Sequence, residues 1–274
     1  MNTRTDLISE LKSGFPEISG TETKTKIIGN AELCTTEITT ESAAEKLQKP
    51  KGKYCTVSFE RLDRIPDTKD IVSALIAALR ELVGDPPEST LIVGLGNTDI
   101  TPDALGPFVA DSVIATRHLS RNLRHTLGLD GLKTVSCLIP GVLGKTGIES
   151  QDIVSAAAAE TKPELIIAID ALAARDPERL CSTIQLSNTG ITPGSGVNNA
   201  RKELSKEKLH IPVVAIGMPT VTDAGSRSTD NRADMMVTPK EIDLLIKKGS
   251  EVIAKALNMF LQPSLDEETI ESIT

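Results

Sequence analysis

The sequence predicts an α/β protein: a three-layer α/β/α arrangement around a mostly parallel central sheet, with a small N-terminal β-containing extension. Three observations predict it. Continuous aliphatic runs at 90–96, 164–170 and 211–219 read as strands buried on both faces. Segments of helical period alternate with them, as in βαβ units. With no Trp, one Tyr and four Phe in 274 residues, Ile, Val, Leu and Ala must fill the space between the layers.

In chain order, residues 1–50 are polar and rich in Thr, Glu and Lys. Short alternations at Lys26-Ile27-Ile28 and Glu37-Ile38-Thr39 predict edge strands there. "KYCTVSFE" (53–60) is a firmer strand pattern. "TKDIVSALIAALRELV" (68–83) has the 3.6-residue period of an amphipathic helix, capped near Asp67 or Thr68 and stopped by Gly84 and Pro86-Pro87. The strand at 90–96 leads to a predicted helix at 103–117. A strand at 134–139 leads to a helix at 149–161, capped near Glu149 or Ser150. "CSTIQLS" (181–187) alternates with period two, as an exposed or antiparallel strand does. A long helix is predicted over 238–261, with Thr238 as N-cap and Pro239 in its first turn. Residues 223–237 are polar and predict a mobile loop. There is no internal repeat. The pattern divides the chain into an extension (7–66), a core (67–261) and a tail (262–274).

The formal net charge of −8 argues against a general nucleic-acid binder, which usually carries a basic face. The four cysteines, at 34, 55, 137 and 181, show no C-x-x-C spacing, so they read as reduced structural residues of a cytosolic protein, with Cys137 and Cys181 in buried strands. "MNTRTDLISELK" has no apolar signal core, and no run approaches about 18 apolar residues. A soluble, cytoplasmic protein without membrane contact is the expectation.

Open parallel sheets place their sites beyond the carboxyl ends of the strands. Here those ends carry Asn97, Asp99 and Asp103, then the Gly-rich loop "PGVLGKTGIE" (140–149), then Asp170. A phosphate-binding reading fits less well. Asp99 stands where G-x-G-x-x-G needs its third glycine, and "GVLGKTG" (141–147) spaces its glycines too closely for G-x-x-x-x-G-K-[ST]. "TPGSGVNNARK" (192–202) can still cradle an anion on backbone N–H groups. Asp103 alone reads first as a helix cap. Asp170 closes a buried aliphatic run, where a charge must be paired, hydrated or functional. If the two meet, one keeps a proton, and the pair can activate water and protonate a leaving group. The three histidines, at 118, 125 and 210, lack metal-ligand spacing; a carboxylate-only metal site at Asp103 and Asp170 stays open. Lys145 and Arg175 lie near strand ends, where they are either ion-paired or in reach of substrate.

"VGLGNTDITPDALGP" (93–107), "PGVLGKTGIES" (140–150), "IIAIDALAAR" (166–175), "TIQLSNTGITPGSGVNNARKELS" (183–205), "IPVVAIGMPTVTDA" (211–224) and "MVTPKEID" (236–243) resemble the germination protease family, as does "RTDL" (4–7). The resemblance implies a phosphorylase/hydrolase-like fold related to the hydrogenase-maturation endopeptidases. It also implies a metal-free aspartic-type endopeptidase, without cofactor, that degrades small acid-soluble spore proteins in the spore core. The family's essential aspartates fall on Asp103 and Asp170. Asn97 and the loop at Gly141, Gly144 and Gly147 would position the carbonyl or the water. Further implications are a homotetramer and a self-processing precursor, cut between Asp6 and Leu7 to release a propeptide of residues 1–6. The chain departs from the family in its short propeptide, its short segment at 225–237, and the absence of His at 217–225, where the maturation enzymes carry a metal ligand. The rival readings are a metal-dependent maturation-type peptidase and a non-catalytic phosphate- or nucleotide-binding module. Coupled carboxyls titrate as a pair, so the sequence does not assign the proton. A helix N-terminus favours the ionised form, which leans towards Asp103 as base and Asp170 as acid.

Overall fold

The aliphatic runs form the centre of one mixed sheet, and their β-branched residues pack against helices on both sides. The computed structural model describes residues 5–14, 18–194, 201–223 and 235–273. The chain opens with helix α1 (Ile8–Ser13), hairpin strands β1 (Thr21–Ile28) and β2 (Ala31–Ile38), helix α2 (Glu41–Leu47) and strand β3 (Gly52–Ser58). Then come α3 (Lys69–Val83), β4 (Ser89–Gly94), α4 (Leu105–Ser112), α5 (Arg121–Thr126), β5 (Thr134–Leu138), α6 (Leu143–Thr146), α7 (Ser150–Thr161) and β6 (Leu165–Ala174). The last elements are β7 (Thr183–Ser187), α8 (Lys206–Leu209), β8 (Val213–Asp223), β9 (Met236–Val237), α9 (Ile242–Leu261) and α10 (Glu267–Ile273).

Among the described residues the sheet has nine strands in the order β1-β2-β3-β7-β8-β6-β4-β5, with β9 paired to β8. The parallel part is its core: β5, β4, β6 and β8 run side by side in one direction. Antiparallel strands extend this core, so the whole sheet is mixed. The N-terminal strands do not stand apart; β3 pairs antiparallel with β7, and β7 with β8. Helices α3, α4 and α9 cover one face, where Ile92, Ile167, Ile169, Ile184 and Leu186 meet Leu75, Val109, Ile253 and Leu257. On the other face, Val154 and Ala158 of α7 cover Leu91, Val93, Ile166 and Ala168. Ile8, Ala43 and Leu47 cover Ile38 and Tyr54. None of the helices among the described residues is long and apolar enough to cross a membrane.

Four expectations need correction. The helix expected at 103–117 is only Leu105–Ser112, preceded by a 3-10 turn, Thr101–Asp103. It stops because Asn258 of α9 binds both Ser112 O (3.0 Å) and Ile114 N (2.9 Å), and the chain then turns onto Val135. The helix expected from 238 begins at Ile242; the Thr238 hydroxyl donates to Thr220 O (2.8 Å) rather than capping it. Strand β7 is antiparallel but buried along its whole length, because the N-terminal segment covers its polar face. Cys137 is half-buried rather than fully buried. The loop expected at 223–237 lies mostly outside the described residues, as do positions 195–200 of the anion-cradle candidate; of that loop, Met236–Val237 pairs with β8.

Helix α4 reaches the ends of β4 and β6 only because Gly106 has no side chain. A Cβ there would lie 2.2 Å from Leu95 O and 2.5 Å from Ile169 O. Gly106→Ala must therefore push α4 off the sheet. A loss of about 3 kcal/mol or more in denaturant unfolding is expected, and an unchanged midpoint would show that α4 does not need this close approach.

Candidate active site

The end of β4 carries the first carboxylate. After Gly94 the chain turns through Gly96, whose φ of +120° suits glycine alone, and a Cβ there would overlap Asp103 O at 2.0 Å. That contact lets Asn97 N donate to Asp103 O (3.0 Å), closing the loop. Asp103 thus ends the 3-10 turn one residue before the N-cap of α4, Ala104, and its side chain caps no helix. Asp170 comes from within β6, four residues before the strand ends. Ile169 belongs to the α9-side core, so Asp170 points to the opposite face, with Ile166, Ala168 and Leu172. It is 6 % exposed, and one of its carboxyl oxygens accepts from Ala171 N (2.9 Å).

Asp103 and Asp170 line one cavity of about 550 Å³. Burial pushes Asp103 up to about 6, and hydrogen bonding from the Asn97 backbone pulls it partly back. Asp170 is raised well above the usual carboxylate range, first by burial and then by the negative charge of Asp103, with a smaller contribution from Asp6. The helix-terminus argument therefore does not describe Asp103: burial raises its pKa. Asp170, the more deeply buried, is the one also raised by its neighbour's charge.

Asn97 and Gly144 line the same cavity, beside Val142 and Leu143. Gly141 and Gly147 do not; each takes a left-handed conformation that bends the loop, at φ of +71° and +70°. Asp6 lines the cavity too, whereas Leu7 is wholly buried against Leu172, Ala174 and Leu180. Lys145 pairs with Asp99 and neither lines the cavity, and Arg175 is held by Glu10 O (2.9 Å) and Ser13 (3.2 Å). Among the described residues no group of three or more His, Cys, Asp or Glu side chains is placed to hold a metal ion.

The sequence reading missed Gln185 and Lys49. Gln185 binds the backbone of residues 6–8. Lys49 shares a second cavity of about 190 Å³ with Asp6 and Gln185; burial lowers its pKa and the charge of Asp6 opposes that. The available signal was Gln185 standing between Thr183 and Ser187 on one face of an alternating strand, a polar row that needs partners.

Two carboxyls lining one largely aliphatic cleft at the mouth of an α/β sheet are an arrangement suited to acid–base hydrolysis of the aspartic peptidase class. The family is shown by comparison. The model of the peptidase A25 family, described as "Germination protease", matches residues 4–233. A germination protease of Clostridium perfringens strain 13 is 37% identical over an alignment 319 residues long, gaps included, covering 98% of both chains. One from Caldanaerobacter subterraneus subsp. tengcongensis is 36% identical, covering 98% of this chain and 97% of its own. One from Bacillus velezensis is 45% identical over 241 residues, covering 83% of this chain and 65% of its own. The chain belongs to the germination protease family, a family of aspartic-type endopeptidases.

Both acids bind protons more tightly when folded than when unfolded, so stability falls as pH rises from about 4 through 6 and beyond. Asp170→Asn removes the larger part of that cost and keeps an acceptor for Ala171 N. Its melting temperature should exceed the parent's by a few degrees at pH 8, with the gap closing towards pH 4. A gap that does not change with pH would mean that Asp170 is not held protonated.

Proposed function

We propose that this chain is an endopeptidase that cuts small acid-soluble spore proteins in the spore core during germination, with Asp103 and Asp170 as its acid–base pair. The observation that carries the reading is the shared cavity, in which the charge of Asp103 raises Asp170. Asp103, ionised near neutral pH, takes a proton from the attacking water. Asp170, still protonated, donates to the carbonyl oxygen of the bond being cut. The proton held by Asp103 then passes to the leaving amine as the C–N bond breaks, and the diol hydroxyl returns a proton to Asp170 as the carbonyl re-forms, so no nucleophilic side chain is required. Asn97 and the 142–144 segment form the wall that positions water and carbonyl.

The same pair cuts the chain's own Asp6–Leu7 bond, releasing residues 1–6. This part rests on the "RTDL" match and on Asp6 lining the cavity within electrostatic reach of Asp170. The working form is a homotetramer, by the family resemblance.

Purified protein incubated with a small acid-soluble spore protein should cleave it and lose residues 1–6, both read by intact mass. Asp103→Asn and Asp170→Asn should each lower the rate about 100- to 10,000-fold. Treatment with EDTA should leave the parent's rate unchanged. Parent-level cleavage by either variant ends the dyad reading, and a chelator-sensitive rate restored by added zinc favours the metal-dependent alternative.

A further inference from the structure

Gln185 is a neutral amide in the middle of β7, 8 % exposed. It pairs across to Gly217 of β8, and Gly217 pairs to Asp170 of β6. Residues directly opposite in a sheet project to the same face, so Gln185 and Asp170 emerge together. Between them stands Gly217, where a Cβ would lie 2.5 Å from the Leu172 side chain. The Leu172 side chain lies over Gly217 on that face, so the amide and the acid flank it from either side, Gln185 in the smaller cavity and Asp170 in the larger.

Both partners of this amide belong to one short peptide. Gln185 Nε2 donates to Asp6 O (3.1 Å), and Gln185 Oε1 accepts from Ile8 N (2.7 Å). The orientation of the amide is fixed by chemistry, since a carbonyl can only accept and an N–H can only donate. The same peptide is held on its other side by β6: Asp6 N donates to Ala173 O (2.9 Å), and Ala173 N donates to Asp6 Oδ2 (2.9 Å). Ala173 lies past Ile169, the last residue of β6 that β4 pairs, so the peptide takes a stretch of strand that β4 leaves open. The Leu7 side chain fills an apolar pocket formed by Leu172, Ala174, Leu180 and Ile191. Residues 6–8 are therefore gripped through their backbone on both sides of Leu7, and the Asp6 carbonyl under Gln185 Nε2 is the carbonyl of the Asp6–Leu7 bond.

We propose that Gln185 is the residue that registers the peptide to be cut, with Nε2 on the carbonyl of the bond and Oε1 on the N–H two residues further on. A chain cut in trans takes the place of residues 6–8 and is held in the same way. A side-chain amide aimed at the carbonyl oxygen also opposes the negative charge that gathers there as water adds, as amide donors do in acyl-transfer sites. The inference rests on the reading that Asp103 and Asp170 cut Asp6–Leu7.

Gln185→Glu separates the two halves of the grip, because it keeps an acceptor for Ile8 N and replaces the donor to Asp6 O. Self-processing of the full chain, followed by intact mass, should slow at least tenfold. In trans, with a twelve-residue peptide of sequence MNTRTDLISELK, the main loss should be in kcat. Because a carboxylate at a buried position can impair folding, a second measurement leaves the protein unaltered. The same peptide methylated on the backbone nitrogen of its eighth residue cannot donate to Gln185 Oε1, and its KM should rise about tenfold. Methylation at its tenth residue should change little. Parent-rate processing by Gln185→Glu, or equal KM for the two methylated peptides, overturns the proposal. The underlying reading fails separately: if Asp170→Asn processes itself normally, the dyad is wrong. If Asp170→Asn is inert while Gln185→Glu matches the parent, only the role of Gln185 is lost.

Discussion

Taking a carboxylate out of water into the end of a sheet costs free energy, and a second negative charge nearby adds to that cost. Asp103 and Asp170 accept both penalties at the mouth of β4 and β6. Burial and the charge of Asp103 accordingly raise the more deeply buried acid, Asp170, well above the usual carboxylate range. Much of the local architecture serves that meeting. Gly96 lets the loop fold back on Asp103, and Gly106 lets α4 lie against Leu95 and Ile169. Core packing by α3, α4 and α9 on the far face holds β4 and β6 in register. The stability lost at this end is set against an aliphatic core that spans the whole sheet.

The N-terminal segment completes the cleft. Asp6 joins the open stretch of β6 through Ala173, and Leu7 and Ile8 are buried. Glu10, 5 % exposed, receives the backbone N–H groups of Arg175 (2.8 Å) and Asp176 (2.9 Å), just past the end of β6. Hydrogen bonds to a charged acceptor are among the stronger ones in proteins. Of this stretch Asp6 lines the cavity, while Leu7 to Ser13 pack behind it against β6 and β7. A cut at Asp6–Leu7 would fall between the two.

The parallel core was legible because strands buried on both faces must be continuously aliphatic, and 90–96, 164–170 and 211–219 are. Asp170 was legible for the same reason: an acid that closes such a run needs an explanation. Asp103 was legible by its place after a strand and a glycine turn, although its 3-10 geometry was not. What stayed hidden depends on partners distant in sequence. The early stop of α4 is made by Asn258, 146 residues further on. The burial of the polar face of β7 comes from residues some 177 to 179 positions earlier, so Gln185 looked like one side of an exposed alternation. Thr238 and Pro239 carry a helix-start signal, but Thr220 claims the threonine hydroxyl. Local pattern cannot report such competition.

The central claim is that the two acids share one environment and one proton. Carbon-13 NMR titration of the aspartate carboxyls in the intact protein tests it most directly. The account predicts that Asp103 titrates near 6 and Asp170 well above the ordinary carboxylate range, with the Asp170 midpoint falling when Asp103 is replaced by Asn. Two independent midpoints near 3.8, unmoved by that substitution, would contradict it.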